Sequence, residues 1–233
     1  MKVTVDKSLT FDFPKEFEVL KWDDGEVHKR LSRAWQFACL CGEWPSHTCT
    51  KKTRKKSSCP RHLTCKVSRF DGFKAVDLVC RKGGDLYLVE VKDFNPSPKA
   101  VAPDFNQDHV LSHYVMSVAK KFRDTVFALF CGSFMSDPAV RAEAGSARRM
   151  RTNVTALRFV FHFESPKAPY KTSLFPSGKV ISCATMKEAL AGYLGSDLTA
   201  WLSVVDCATL QSAPRQLPWT VQRSRKLSRG GRC

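Results

Sequence analysis

Asp77, Glu90 and Lys92 are the residues of this chain whose types and spacing suit a chemical task. They flank a stretch, residues 73–94, that is rich in Val, Leu, Tyr and Phe and has Gly83-Gly84 at its centre. Two glycines tolerate the positive φ angles of a tight hairpin loop. Such a loop sets Lys82 opposite Asp85 and, counting outward, Asp77 opposite Glu90. Strand side chains alternate between faces, so Glu90, Lys92 and cross-strand Asp77 share one face. Like charges directly opposed destabilise a sheet, and a divalent cation between them reverses that sign. Mg²⁺ (or Mn²⁺) takes carboxylate, water and phosphate oxygens. Asp77, Glu90 and the carbonyl of Val91 could supply such a set, with Lys92 orienting or deprotonating an attacking water. The competing reading is an ordinary charged hairpin face without a metal. Val76, Leu78, Cys80, Tyr87, Val89 and Val91 form the opposite, core-facing surface.

The elements that would position these residues follow from periodicity. Asp23 and Glu26 have capping-box spacing, and Val27, Leu31, Ala34, Trp35 and Ala38 then lie on one helical face. After a Pro-rich loop at 95–103, Leu111, Val115, Val118, Phe122 and Val126 predict a helix over about 106–130. Arg148, Arg149 and Arg151 close a small, polar stretch that reads as a mobile basic connection over 141–151. Residues 155–164 alternate Leu157, Phe159, Phe161 and Phe163 against Arg158, Val160 and His162, which predicts a strand with one apolar face and puts His162 on its surface. Residues 166–179 read as loop, 180–183 as a short strand, 186–194 and 198–205 as helices. Pro218 restricts 217–222 to an edge strand.

A strand carrying Asp, a glycine turn, and Glu-x-Lys at the end of the next strand, with a helix on either side, resembles the PD-(D/E)xK nuclease superfamily. The resemblance spans roughly residues 23–124. Asp77, Glu90 and Lys92 match its three core positions, and Val76 stands where the family name has proline. It implies an α/β (α+β) fold, a mixed central sheet flanked by helices in a restriction-endonuclease-like core. It also implies a Mg²⁺-dependent nuclease cleaving phosphodiester bonds, with DNA ahead of RNA as substrate. By the same resemblance, Glu26 is the carboxylate of the first helix that reaches the metal, although capping is its other job; Glu16 and Glu18 are weaker alternatives. Gln107, Lys120 or Lys121 would stand beside the site on the following helix. Restriction-type relatives often pair, so a homodimer is compatible with the resemblance.

Thirty-eight Lys and Arg against 22 Asp and Glu leave a formal charge of +16. That excess attracts polyanions, nucleic acid above all, and equally marks a generic basic protein or one approaching an anionic surface. No apolar run is long enough to span a bilayer, so the expectation is an intracellular protein, cytoplasmic or nuclear, with no membrane partner. Ten cysteines in that setting point to metal ligands and buried thiols rather than disulfides. Five lie in a Cys/His-rich segment, 39–66, with His47 and His62 among them. Cys41, Cys49, Cys59 and Cys65 are the candidate ligands of a structural Zn²⁺, with Cys39 or a histidine as substitute and an iron–sulfur cluster as the competitor. Between them Lys51, Lys52, Arg54, Lys55 and Lys56 form a phosphate-contacting loop or a solvated one. The chain thus reads as a single domain, 1–233, with the 39–66 segment inserted and a disordered basic tail at 223–233. A nucleic-acid-binding module without catalysis, stabilised by zinc, is the alternative function.

Overall fold

The computed structural model describes residues 1–5, 8–25, 27, 74–93, 110–131, 138–164, 182–213 and 217–223. They form a mixed α/β fold of two sheets and several helices. The larger sheet has the order β3-β4-β5-β6-β7, with β3 at Glu18–Lys21, β4 at Leu78–Lys82, β5 at Asp85–Asp93, β6 at Ala156–Glu164 and β7 at Leu202–Val205. Its first three strands are antiparallel, whereas β5, β6 and β7 run parallel. A parallel pair needs a long crossover, here carrying α1 (Val110–Cys131) and α2 (Pro138–Arg151) between β5 and β6. The next crossover carries α3 (Cys183–Leu194) and the one-turn α4 (Ser196–Thr199), and α5 (Cys207–Ser212) follows β7. The smaller sheet is antiparallel, ordered β1-β2-β8, from Lys2–Val5, Leu9–Asp12 and Thr220–Arg223.

The hairpin has the expected register, with Lys82 paired to Asp85 and Leu78 to Val89. Gly83 has φ +58°, and a Cβ on Gly84 would come within 2.3 Å of Thr155 Oγ1, so this turn demands glycine at both positions for different reasons. Both faces of the larger sheet are covered. Val79, Leu86, Leu88, Phe159, Phe161 and Phe163 pack under α1, α2 and α3 through Val115, Val118, Phe122, Met150, Met186 and Leu190. On the other side, Leu78, Cys80, Tyr87, Val89, Val91 and Val160 meet Phe11, Phe13, Trp219 and Val221 of the smaller sheet and its approach. The Trp219 ring lies 5.1 Å from Phe13 and 5.2 Å from Tyr87, spacings typical of favourable aromatic pairs.

Several expectations need correction. Val76 joins the helix-side core rather than the face of Leu78 and Cys80. The basic stretch ending at Arg151 is the helix α2, anchored by buried Ala147 and Met150. Cys183 opens a helix instead of closing a strand, because the Ser182 hydroxyl caps it by accepting from Thr185 N at 3.1 Å. The second half of the helix expected over 198–205 is the strand β7, whose Leu202, Val204 and Val205 are buried in parallel pairing with β6. Three strands within residues 1–21 were not anticipated at all. Arg223 belongs to β8 rather than to a disordered tail. Among the described residues no helix is long and apolar enough to cross a membrane.

Candidate functional site

The end of β5 gathers charge on the helix side of the sheet. Glu90 is completely buried and Asp77 is 5% exposed. Asp77 stands just before β4, where its carbonyl accepts from Trp22 N at 2.9 Å and its carboxylate accepts from Val91 N at 2.6 Å. Both Glu90 oxygens accept from the Lys121 ammonium of α1, at 2.6 and 2.8 Å, and Lys92 lies 3.4 Å away. Sequence reasoning therefore brought together Asp77, Glu90, Lys92 and Lys121. It did not foresee that the ammonium of Lys121 would take both oxygens of Glu90, so any cation there must compete with it.

A second acidic anchor steadies the cluster. Asp124 accepts from Lys74 N at 3.0 Å, from Lys120 at 2.7 Å and from Arg123 at 3.1 Å, and Thr125 Oγ1 accepts from Val76 N at 3.0 Å. Helix α1 thereby fastens the segment that carries Asp77. Lys120 and Lys121 thus face buried carboxylates. Burial pushes the Glu90 carboxyl up to about 7, against the pull of Lys121 and Lys92, with Asp77 adding to the rise. Burial, and then the nearby charges of Asp77 and Asp24, also raise half-buried Asp23. Lys74 is lowered by burial and by the neighbouring Lys121 and Lys120 ammonium groups.

The remaining expected site residues lie elsewhere. Glu16 pairs with Lys82 at 3.0 Å and Glu18 with Arg149 at 3.8 Å, at the opposite end of the hairpin. Glu26, Gln107, Cys39, Cys41, Cys49, Cys59, Cys65, His47 and His62 lie outside the described residues, as do Lys51, Lys52, Arg54, Lys55 and Lys56.

A second cluster was missed. His162, Glu164 and Cys207 place one ligand atom each within 4.8 Å of the others, a donor set that suits a metal of zinc type. His162 is fully buried rather than on the strand surface, with its ring edge-on to Phe11 at 5.3 Å. Its Nε2 lies 2.9 Å from Glu164 Oε1 and 3.9 Å from Cys207 Sγ, while its Nδ1 has no hydrogen-bond partner among the described residues. Cys207 N, at the start of α5, donates to Glu164 Oε1 at 2.7 Å. Arg223 binds the other Glu164 oxygen at 3.0 Å and Asp93 at 2.7 Å, which ties β8 to the ends of β5 and β6. Burial raises Glu164, but its hydrogen bonds to His162 and Cys207 outweigh that and bring it to about 2. Burial and the same carboxylate push the Cys207 thiol up to about 12. The i, i+2 spacing of His162 and Glu164 on one strand was the available signal. The partner 43 residues beyond Glu164 was not visible in it.

No family model matches the chain, and no solved structure matches it. It is similar to a cysteine–tRNA ligase of Neisseria meningitidis serogroup A / serotype 4A (strain DSM 15465 / Z2491), 24% identical over 182 residues. That match takes in 76% of this chain and 23% of the ligase, so the chain corresponds to about a quarter of that relative's length. The similarity overturns the expectation of a Mg²⁺-dependent nuclease, because a tRNA ligase is a different class of enzyme. In the structure, one oxygen of Asp77 accepts from a backbone N–H and both oxygens of Glu90 accept from an ammonium of the chain itself.

Proposed function

We propose that this chain is a nucleic-acid-binding module whose preferred partner is a structured RNA of the tRNA class. The observation that carries the reading is a basic edge formed by the hairpin turn and the end of α2. Arg81, Lys82, Arg148, Arg149, Arg151 and Arg158 meet there, against Glu16, Glu18 and Asp85, a local excess of three positive charges. The edge is built rather than accidental: Arg81 donates to the carbonyls of Gly83 and Arg149, and Thr155 N donates to Gly84 O at 2.9 Å. Arg148 and Arg149 are exposed at the helix end, where guanidinium groups can grip phosphate in bidentate fashion. A formal charge of +16 supplies the long-range attraction, and the similarity to a tRNA ligase favours RNA over DNA.

In this reading Lys120 and Lys121 set the frame instead of touching phosphate, because their charges are spent on Asp124 and Glu90. We also retain, as a proposal about scaffold alone, a relation between the β4–β5 hairpin and the PD-(D/E)xK framework. The single-domain reading with an inserted 39–66 segment belongs to the same proposal.

Fluorescence anisotropy with labelled tRNA and a labelled DNA duplex of equal length, at 100 mM salt, tests the reading. Tighter binding of tRNA is expected. Equal affinity for the two would remove the RNA assignment, and no binding of either would remove the function.

A further inference from the structure

We propose that His162 Nε2, Glu164 Oε1 and Cys207 Sγ are the protein ligands of a Zn²⁺ ion that locks the ends of β6, β7 and α5 together. None of the three ligands comes from the cysteine-rich segment at 39–66.

Three features lead to it. The first is convergence. A Cys–His–Glu relay needs the two ring nitrogens divided between thiol and carboxylate, one holding the acid and one facing the nucleophile. Here both approach Nε2, at 2.9 Å and 3.9 Å, and Nδ1 meets neither. That arrangement suits one electrophile shared by three donors.

The second is distance. A tetrahedral Zn²⁺, with bonds of about 2.05 Å to nitrogen and oxygen and about 2.3 Å to sulfur, separates N from O by about 3.4 Å and N from S by about 3.6 Å. The observed separations bracket those values. The third side of the triangle, from Glu164 Oε1 to Cys207 Sγ, lies within 4.8 Å, against about 3.6 Å in a tetrahedral site, so closing the geometry is left to side-chain adjustment at Glu164 and Cys207. Three protein ligands leave one tetrahedral position for solvent.

The third is charge. A thiolate, a carboxylate and a neutral imidazole balance a divalent cation, which lets the group remain buried without an uncompensated charge. The other Glu164 oxygen keeps its pairing with Arg223, whose own charge is met by Asp93. Arg223 thus plays the part of an outer partner that orients a ligating carboxylate. Metal bound here would also hold β8, and with it the smaller sheet, against the larger one.

The test follows alkylation of Cys207 in the full chain by iodoacetamide, read at peptide level by mass spectrometry, in excess chelator and in excess Zn²⁺. A residue-specific readout separates this site from any metal held at 39–66. Zn²⁺ is expected to slow alkylation of Cys207 at least tenfold in the parent, and the protection is expected to vanish in Glu164→Gln. Cobalt titration gives a second reading: Cys207→Ser should bind one equivalent fewer than the parent and lose part of the thiolate-to-cobalt absorption. An alkylation rate at Cys207 unchanged by Zn²⁺, or equal cobalt stoichiometry in the parent and a folded Cys207→Ser protein, overturns the proposal.

Discussion

Replacing Glu90 by glutamine should change how stability responds to pH. Glu90 is completely buried, and burial outweighs the attraction of Lys121 and Lys92, so its carboxyl titrates near 7 in the fold against 4.5 when free. The folded state therefore holds this proton more tightly than the unfolded state. A raised folded value gives stability that is complete below about pH 4.5 and is lost as pH rises through about 7. The separation corresponds to about 3 kcal/mol in all, of which about 2.5 kcal/mol falls between pH 5 and pH 8. Glutamine preserves the shape and cannot titrate, and groups common to both proteins cancel in the comparison. Urea unfolding of the parent and Glu90→Gln at pH 5, 6, 7 and 8 measures it. The parent's stability minus the variant's should fall by about 2–3 kcal/mol across that range. A difference that stays flat or rises with pH would refute the reasoning, since it would mean that Lys121 holds Glu90 ionised throughout.

Other substitutions probe the same frame. Lys121→Met strands the buried Glu90 and should cost about 3 kcal/mol in denaturant unfolding at pH 8, and clearly less at pH 5, where Glu90 carries a proton. Asp124→Asn weakens the anchor that accepts from Lys74 N, Lys120 and Arg123; a loss of about 1–3 kcal/mol is expected, and proteolysis faster than in Lys121→Met at pH 8 would contradict it. Gly83→Ala forces alanine into φ +58° with open space around it. A cost of about 1 kcal/mol, read as a lower melting temperature, is expected from the backbone alone.

The hairpin was legible because its register is set locally, by two glycines and by alternation along strands that adjoin in sequence. That register put Asp77, Glu90 and Lys92 on one side, and the fold keeps them there. What it could not reveal is depth. Both faces of β5 are covered, so a face that reads as a display surface is instead the floor of a helix-capped core. His162 was misplaced for the same reason: the smaller sheet, assembled from the two ends of the chain, lies over its face, and nothing local announces it. The strand β7 mimics a helix in sequence because it is only four residues long and follows the turn of α4. Its buried valines reveal a strand only once β6 is present to pair with them. Helix α2 is so rich in Arg and small residues that its anchoring contacts, Ala147 and Met150, were outweighed by its charge.

The central claim is that a basic edge at the end of α2 holds nucleic-acid phosphates, and the salt dependence of tRNA binding tests it most directly. Each phosphate contact contributes roughly 0.7–0.9 to the slope of log affinity against log salt. For the parent the slope should be steep. For Arg148→Ala/Arg149→Ala it should be shallower by about 1.5, with affinity reduced at every salt concentration and the fold intact. A double variant that binds tRNA with the parent's affinity and slope would place the phosphates elsewhere and contradict the account.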